Sequence, residues 1–284
     1  MEIYQYFKKG IFTKSTFVKE AAKEAAITTS TSTPTPTATP TIKIENLCFA
    51  YKQNQKKIFT DLNLKIYPAK LIALLGANGS GKSTLLKLIA RILRPSSGNV
   101  LIDQMPLSHY HIHELAAKIS YYPQSVEQNL SMLSISVEEL VAMGAYSHSK
   151  DLNKKLFIPT RNSVIQMVGL EEKRHHPLAT LSGGEQRRAF LAMFLHKGSR
   201  ILLLDEPLAN LDIKYQIELF HILHKLATVE HFTIVTAIHD LNIAKEMDQV
   251  LLLHQGKIIA NGDPEKVLSK ENLNSAFELT GLIN

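Results

Sequence analysis

Between residues 42 and 284, short runs of apolar side chains alternate with segments whose apolar positions recur every three or four residues. The apolar runs have the length of parallel strands that are buried on both faces. They lie at 71–75, 201–204, 233–236 and 250–253. The periodic segments predict helices. They lie at 82–91, 137–143, 162–168, 185–196, 213–226 and 241–247. Because strands alternate with helices, the pattern predicts an α/β fold around a parallel sheet.

Two further patterns refine this arrangement. Alternating apolar and polar positions at 41–50 and 57–66 predict half-buried strands that precede the parallel sheet. Between about 125 and 198 the strand signals fade and amphipathic helical segments dominate. We therefore expect a helical subdomain to be inserted into the sheet domain over that range.

Residues 1–41 differ in composition from the rest of the chain. Positions 28–41 contain only Thr, Ser, Pro and Ala, so this stretch cannot bury enough apolar surface to offset chain entropy and predicts a flexible linker. Positions 1–27 mix aromatic side chains with lysines but keep no helical period. We expect a disordered extension at 1–41, with an amphipathic helix for a membrane surface or partner as the alternative. The folded domain is then 42–284.

The composition excludes several classes of protein. The net charge of +6 is too small to favour nucleic acid as a partner. A single cysteine, Cys48, excludes a disulfide framework and a cysteine-based zinc site. No apolar run approaches the roughly 18 residues of a membrane span, and no secretory signal is evident. These observations favour a cytosolic protein.

The turn after the predicted strand 71–75 carries the chemistry of a phosphate-binding loop. It fits the pattern G-x-x-x-x-G-K-[ST] and opens a predicted helix. Its residues are Gly76, Ala77, Asn78, Gly79, Ser80, Gly81, Lys82 and Ser83. The glycines let several backbone N–H groups point into one concavity at a helix N-terminus, which favours bound phosphate. Lys82 is placed for the β- and γ-phosphates, Ser83 for Mg²⁺ and Thr84 for a phosphate oxygen.

The apolar run 201–204 ends in two carboxylates, Asp205 and Glu206. Because parallel strands present their ligands at their carboxyl ends, Asp205 is expected to face the metal on Ser83. Adjacent side chains on an extended chain point in different directions. Glu206 is therefore a candidate general base that orients and deprotonates an attacking water.

A second glycine-rich helix start reads Leu-Ser-Gly-Gly-Glu-Gln at 181–186 and offers another anion site. With the two motifs above, it makes the chain resemble the ATPases of ABC transporters, whose signature motif is LSGGEQ. The resemblance covers about residues 42–270. It implies a P-loop NTPase of the RecA-like type, with a mixed-sheet core, an antiparallel β subdomain and an inserted helical subdomain.

The resemblance also assigns roles to residues outside the phosphate loop. Tyr51 corresponds to the aromatic residue that stacks on adenine. Gln124 resembles the Q-loop glutamine that senses Mg²⁺. Asn210, Leu211 and Asp212 resemble the D-loop, of which Asp212 is the last residue. His239 resembles the switch histidine that contacts the γ-phosphate.

The family mechanism implies a homodimer closed by ATP. Two subunits pair head to tail, and each ATP lies between the phosphate loop of one and the signature residues of the other. Those residues are Ser182, Gly183, Gly184 and Glu185. Binding of ATP closes the dimer and hydrolysis releases it, as in other nucleotide switches.

The resemblance favours an importer, because importers of this family commonly keep the ATPase and the membrane domain in separate chains. Stretches 101–124 and 136–147 resemble the group that imports ferric siderophores, haem or cobalamin. The implied partners are a two-copy polytopic permease and, indirectly, a periplasmic or lipoprotein substrate-binding protein, with the ATPase at the cytoplasmic face of the membrane. The alternatives are a zinc or manganese importer and a soluble ABC ATPase of the iron–sulfur assembly type.

Three other features are expected to be structural or solvated rather than functional. His109, His111 and His113 have a spacing that a strand could use to bind Zn²⁺, but they precede a predicted helix and are interpreted as solvated. Cys48 is interpreted as a small core residue. Lys173 and Arg174 are interpreted as part of a solvated face.

Overall fold

The computed structural model describes residues 39–52, 56–124, 134–147, 159–209 and 211–277, with the backbone alone at 146–147. The prediction for the extension therefore lies almost wholly outside the described residues. Thr41 is the last residue of the predicted extension. Its amide donates to Ile66 O at 2.9 Å, so Thr41 is part of the folded domain.

Ten strands form two sheets in the described part of the chain. The strands are β1 Ile42–Phe49, β2 Phe59–Ile66, β3 Leu71–Leu75, β4 Ser97–Ile102, β5 Met105–Pro106, β6 Ile119–Tyr122, β7 Ile201–Asp205, β8 Thr233–Ala237, β9 Gln249–His254 and β10 Lys257–Gly262. An antiparallel sheet has the order β2-β1-β4-β5, and a six-stranded sheet has the order β10-β9-β3-β8-β7-β6. The five strands from β9 to β6 are parallel, and β10 is antiparallel to β9. The prediction of a mixed-sheet core with an antiparallel β subdomain is confirmed.

A helix lies at each of the periodic segments, and two further helices, after residue 262, were not predicted. They are α1 Lys82–Ile89, α2 Ile112–Lys118, α3 Val137–Met143, α4 Arg161–Met167, α5 Gly183–His196, α6 Ile213–Thr228, α7 Leu241–Lys245, α8 Pro264–Val267 and α9 Lys270–Phe277. Short 3₁₀ turns lie at Leu107–His109, Gly144–Ser147 and Leu178–Thr180. The described part of 125–198 holds helices α3 to α5 and one isolated β-bridge, between Ser136 and Pro177. Among the described residues, no helix is long and apolar enough to span a membrane.

The six-stranded sheet separates two hydrophobic clusters. Alternate residues of β3 point to opposite faces, so Leu71 and Leu75 join one cluster while Ile72 and Leu74 join the other. One cluster contains the core residues of α3 to α6, and the other lies between the sheets and includes α1. Because both faces are covered, all five residues of β3 are buried, and the phosphate loop begins directly from this core strand.

Several details differ from the prediction. No strand was predicted at β4, β5, β6 or β10, whose residues are only partly buried or few in number. The interpretation of Cys48 as a core residue is wrong, because its side chain is only half-buried. The β1–β4 register shifts between Glu45 and Cys48, and Asn46 has a positive φ of 48°. This bulge moves Cys48 off the face that buries Ile42 and Ile44.

Candidate functional site

The phosphate loop runs from the end of β3 to the start of α1. Gly81 precedes the helix with φ 109°, and a Cβ there would lie 2.9 Å from Phe59 Cζ, so the turn requires glycine. Lys82 Nζ donates to Gly76 O at 2.9 Å and to Ala77 O at 3.1 Å. Burial lowers the pKa of Lys82, although the carboxylates of Glu206 and Asp205 oppose that effect. The buried ammonium therefore lies across the loop, near two acidic side chains.

Asp205 ends β7 and is almost completely buried beside the loop. Ser83 Oγ donates to its Oδ1 at 2.9 Å, and Tyr121 Oη donates to its Oδ2 at 3.0 Å. Burial, together with the charge of Asp205, raises the pKa of Tyr121 above its usual range, so the hydroxyl remains a donor. Tyr121 was not among the site residues predicted from the sequence. Its position on β6, three residues before Gln124, is a signal that could have found it.

Glu206 follows Asp205 and has a positive φ of 54°. This left-handed backbone turns the carboxylate toward the ends of the neighbouring strands. Gln124 Nε2, after β6, donates to Oε2 at 2.7 Å, and His239 Nε2, after β8, lies 2.5 Å from Oε1. The ends of three adjacent strands thus place one carboxylate between an amide and an imidazole.

These groups line one cavity of about 920 Å³. It brings together predicted site residues from the phosphate loop and from the strand ends. Its lining includes Tyr51, Asn78, Gly79, Gly81, Lys82, Ser83, Thr84, Gln124, Glu206 and His239. The ring of Tyr51 is 55% exposed at the cavity, contacts Phe49 edge-on, and has its Oη 3.0 Å from Thr84 Oγ1. The cavity therefore has a phosphate-binding end and an aromatic wall, with a volume suited to a nucleotide.

The oxygen atoms around Asp205 fit a magnesium ion. Mg²⁺ is usually held by one or two carboxylates together with substrate phosphates, and the hydroxyl of Ser83 already contacts the carboxylate. Gln124 and Ser83 line the cavity, and the Gln124 side chain has an oxygen that could join this set, whereas Asp205 is buried behind the lining residues. In the described residues, no three or more His, Cys, Asp or Glu side chains are arranged so that they could bind a metal ion. His109, His111 and His113 therefore do not form such a group.

The predicted signature residues lie outside this cavity. Ser182 caps helix α5 with Glu185 in a reciprocal capping box, in which Ser182 N donates to Glu185 Oε2 at 2.9 Å. Ser182 and Gly183 are exposed, whereas Gly184 packs so closely on Tyr215 that a Cβ would lie 2.7 Å from the ring. Asp212, at the start of α6, is also exposed and outside the cavity, and Asn210 lies outside the described residues. One chain alone does not bring the signature to the phosphate loop.

The interpretation of Lys173 and Arg174 as merely solvated is wrong. Lys173 Nζ donates to Glu185 Oε1 at 2.5 Å, and Arg174 Nε lies 3.3 Å from Glu138 Oε2. These pairs connect the turn after α4 to the signature helix and to α3. The solvated-face prediction failed because both pairings depend on tertiary contacts.

Comparisons with known proteins identify the family to which the chain is similar. A family model described as ABC transporter matches residues 59–209. The hemin import ATP-binding protein HmuV of Rhodopseudomonas palustris (strain ATCC BAA-98 / CGA009) is 36% identical over 232 residues, which are 78% of this chain and 83% of that protein. The ferric enterobactin transport ATP-binding protein FepC of Escherichia coli (strain K12) is 33% identical over 231 residues, 78% of this chain and 82% of that protein. A dimeric ATP-binding cassette solved in a post-hydrolysis state with ADP and Pi has a TM-score of 0.65 and 27% identity, covering 78% of this chain and 98% of that one.

Proposed function

The chain belongs to the ABC transporter family, and on that premise we propose that it hydrolyses ATP to drive import of an iron complex through a membrane permease. One observation carries the proposal. A single cavity joins the phosphate loop to a carboxylate, Glu206, that is held by Gln124 and His239. This is the arrangement that phosphoryl transfer to water needs, because the reaction depends mainly on positioning and charge stabilisation.

Each group in the cavity has a role in the proposed hydrolysis. The loop N–H groups and Lys82 bind the phosphates, and Lys82 turns its ammonium from Gly76 O and Ala77 O toward the β- and γ-oxygens. Tyr51 stacks on the adenine, and Thr84 donates to a phosphate oxygen. Mg²⁺, when bound, neutralises charge on the phosphate oxygens, with Ser83, Asp205 and Gln124 as the protein side chains that hold it.

Glu206 is the proposed general base. Its carboxylate is positioned by hydrogen bonds rather than left to rotate, since Gln124 and His239 contact its two different oxygens. It accepts the proton of the attacking water, and His239 contacts the γ-phosphate and fixes the water beside it. Glu206→Gln should therefore bind ATP but lose most turnover.

The exposed signature helix supports the proposal of a head-to-tail homodimer. Ser182, Gly183 and Gly184 would contact the γ-phosphate of ATP in the second copy, and Glu185 would hold the start of the helix in place. Asp212 would lie at the interface between the two copies. Helices α3 to α5 would move as the inserted subdomain when the dimer closes.

A surface for the permease is proposed beside α2. Ile92, Ile112 and Met143 are 56%, 65% and 45% exposed. They lie on neighbouring elements, because Arg91 donates to Tyr110 O at 2.7 Å and α2 packs against the 3₁₀ turn that follows Met143. Exposed apolar side chains that form one contiguous patch are typical of protein interfaces, so we propose that these three form such a patch. This docking would hold the chain at the cytoplasmic face of the membrane.

The proposed cargo is an iron complex because two relatives are named for the import of hemin and the transport of ferric enterobactin. The test uses cells that lack this chain and carry either the parent or Glu206→Gln. Cells that carry the parent should grow on haem or a ferric siderophore as the sole iron source, and cells that carry Glu206→Gln should not. Rescue of growth only under zinc or manganese limitation would contradict an iron-complex cargo, and failure to bind any polytopic membrane protein would contradict the importer.

The docking surface has its own test. Ile112→Ser should weaken copurification with the permease while leaving ATP hydrolysis by the isolated chain unchanged. Ile259→Ser is a matched control, since this side chain is 38% exposed on β10. Equal loss with both variants would contradict the proposed surface.

A further inference from the structure

We propose that Lys173 is a positioning residue for the signature helix α5. Lys173 neutralises and orients the Glu185 carboxylate, so that the start of the helix can bind the γ-phosphate of a second copy's ATP. This inference rests on the proposed function, because it concerns the same composite nucleotide site. It adds a residue from outside the signature motif to that site.

Both oxygens of the Glu185 carboxylate have defined partners. Lys173 Nζ donates to Oε1 at 2.5 Å, and Ser182 N donates to Oε2 at 2.9 Å. In return, Ser182 Oγ accepts from Glu185 N at 3.4 Å. The Glu185 side chain is 13% exposed and that of Lys173 is 43% exposed. The lysine thus contacts the carboxylate from the solvent side and fixes the side chain that orients Ser182.

The turn that carries Lys173 is held in place by α3. Val137 N donates to His176 O at 3.2 Å, and Glu138 N donates to Arg174 O at 3.0 Å. The guanidinium of Arg174 also approaches the Glu138 carboxylate at 3.3 Å. Because the backbone that directly follows the lysine is hydrogen-bonded to α3, Lys173 reaches Glu185 without ordering a free loop.

The charge of Glu185 creates the need for a cation. The first N–H groups of a helix have no acceptor within the helix, and the capping box occupies those of Ser182 and Glu185. The N–H groups of Gly183 and Gly184 are then the donors for an incoming phosphate. Burial disfavours the charged form of Glu185, but hydrogen bonds from Lys173 and Ser182 outweigh it and keep its pKa below the ordinary value. The carboxylate is therefore charged at neutral pH, and without Lys173 it would repel the triphosphate.

The test measures ATP-dependent dimerisation in a Glu206→Gln background, in which ATP persists. Static light scattering would follow the dimer fraction as ATP is added. Adding Lys173→Met should weaken the dimer about 10-fold, since an exposed pair typically changes an equilibrium by about 3-fold and the closed dimer holds two such pairs. Lys173→Arg should restore the parent behaviour, and ATP binding by the monomer should not change.

Two controls separate this role from others. Lys65→Met removes an equal charge from the exposed face of β2 and should not affect the dimer. In a Glu185→Gln background the cap persists without its charge, because glutamine also serves at this position of a capping box. Lys173→Met should then have little effect.

Three outcomes would count against the inference. Lys173→Met could weaken the dimer equally in Glu206→Gln and in Glu206→Gln with Glu185→Gln, which would overturn the inference. No weakening of the dimer in either of these variants would also overturn it. If the Glu206→Gln parent itself forms no dimer with ATP, the proposed composite site fails and this inference fails with it.

Discussion

The hydroxyl of Tyr121 donates to Asp205 Oδ2 at 3.0 Å, while the other carboxylate oxygen accepts from Ser83 at 2.9 Å. The residues belong to adjacent parallel strands, with Tyr121 of β6 in register with Leu203 of β7. The tyrosine therefore fixes the direction in which Asp205 presents its remaining lone pairs. Removing a group that orients a metal-binding carboxylate in this way typically lowers metal affinity by about 10- to 100-fold.

Replacing Tyr121 tests this relationship. Tyr121→Phe should raise the Mg²⁺ concentration needed for half-maximal binding of a fluorescent ATP analogue by about 10-fold, because the carboxylate loses its orienting donor. The matched control is Tyr110→Phe, since the Tyr110 hydroxyl donates to Ile102 O away from the cavity. An unchanged Mg²⁺ requirement in Tyr121→Phe would show that the tyrosine does not orient Asp205 for the metal.

The ring of Tyr51 is expected to bind adenine. Tyr51→Ala should weaken ATP binding about 10-fold, since stacking of a base on an aromatic ring is worth about 1–3 kcal/mol. Tyr51→Phe keeps the ring and loses only the contact with Thr84, so its affinity should stay within about 2-fold. Isothermal titration calorimetry measures both. Equal losses in the two variants would assign the effect to the hydroxyl instead of the ring.

The two glycines of the signature differ in their surroundings. A Cβ at Gly184 would lie 2.7 Å from the Tyr215 ring, whereas a Cβ at Gly183 would have no atom within 4 Å. Gly184→Ala should therefore lower the free energy of unfolding by about 1–3 kcal/mol through overpacking. Gly183→Ala should match the parent or exceed it slightly, because alanine favours a helix. Urea unfolding compares them, and equal stability of the two variants would contradict the close packing.

Lys197, just after α5, predicts a pH dependence of stability. Burial lowers its pKa from 10.5 to about 8 in the folded protein. Between these values the unfolded chain binds more protons, so stability should rise with pH over about pH 8–10.5, by at most about 1.4 kcal/mol per pH unit. Lys197→Met lacks this gain, so the unfolding free energy of the parent should increase relative to the variant as the pH rises. A difference that stays constant from pH 7 to 10 would contradict the shifted pKa.

The sequence predicted those parts of the site that are encoded locally. The phosphate loop and the acidic end of β7 are contiguous motifs next to apolar strands, so pattern and chemistry coincide there. The hydrogen bond between Tyr121 and Asp205 and the ion pair between Lys173 and Glu185 depend on the register of strands and on the docking of a turn. Residue spacing alone does not specify such contacts.

The strands also differ in how well the sequence alone predicts them. Strand β3 was predictable because both of its faces are buried, which produces a continuous apolar run. Strand β10 has alternating half-exposed positions at the edge of the sheet and lacks that signal. Cys48 was misplaced because a bulge near Asn46 exchanges the inner and outer faces of β1. A strict two-residue alternation does not anticipate a bulge.

The most direct test of the central claim is a crystal structure of Glu206→Gln grown with ATP and Mg²⁺. The account predicts a symmetric dimer with two ATP molecules, in which Lys82 of one copy and Ser182 of the other contact the same γ-phosphate. A nucleotide that Lys82 does not contact, or a dimer in which Ser182 faces solvent, would contradict it.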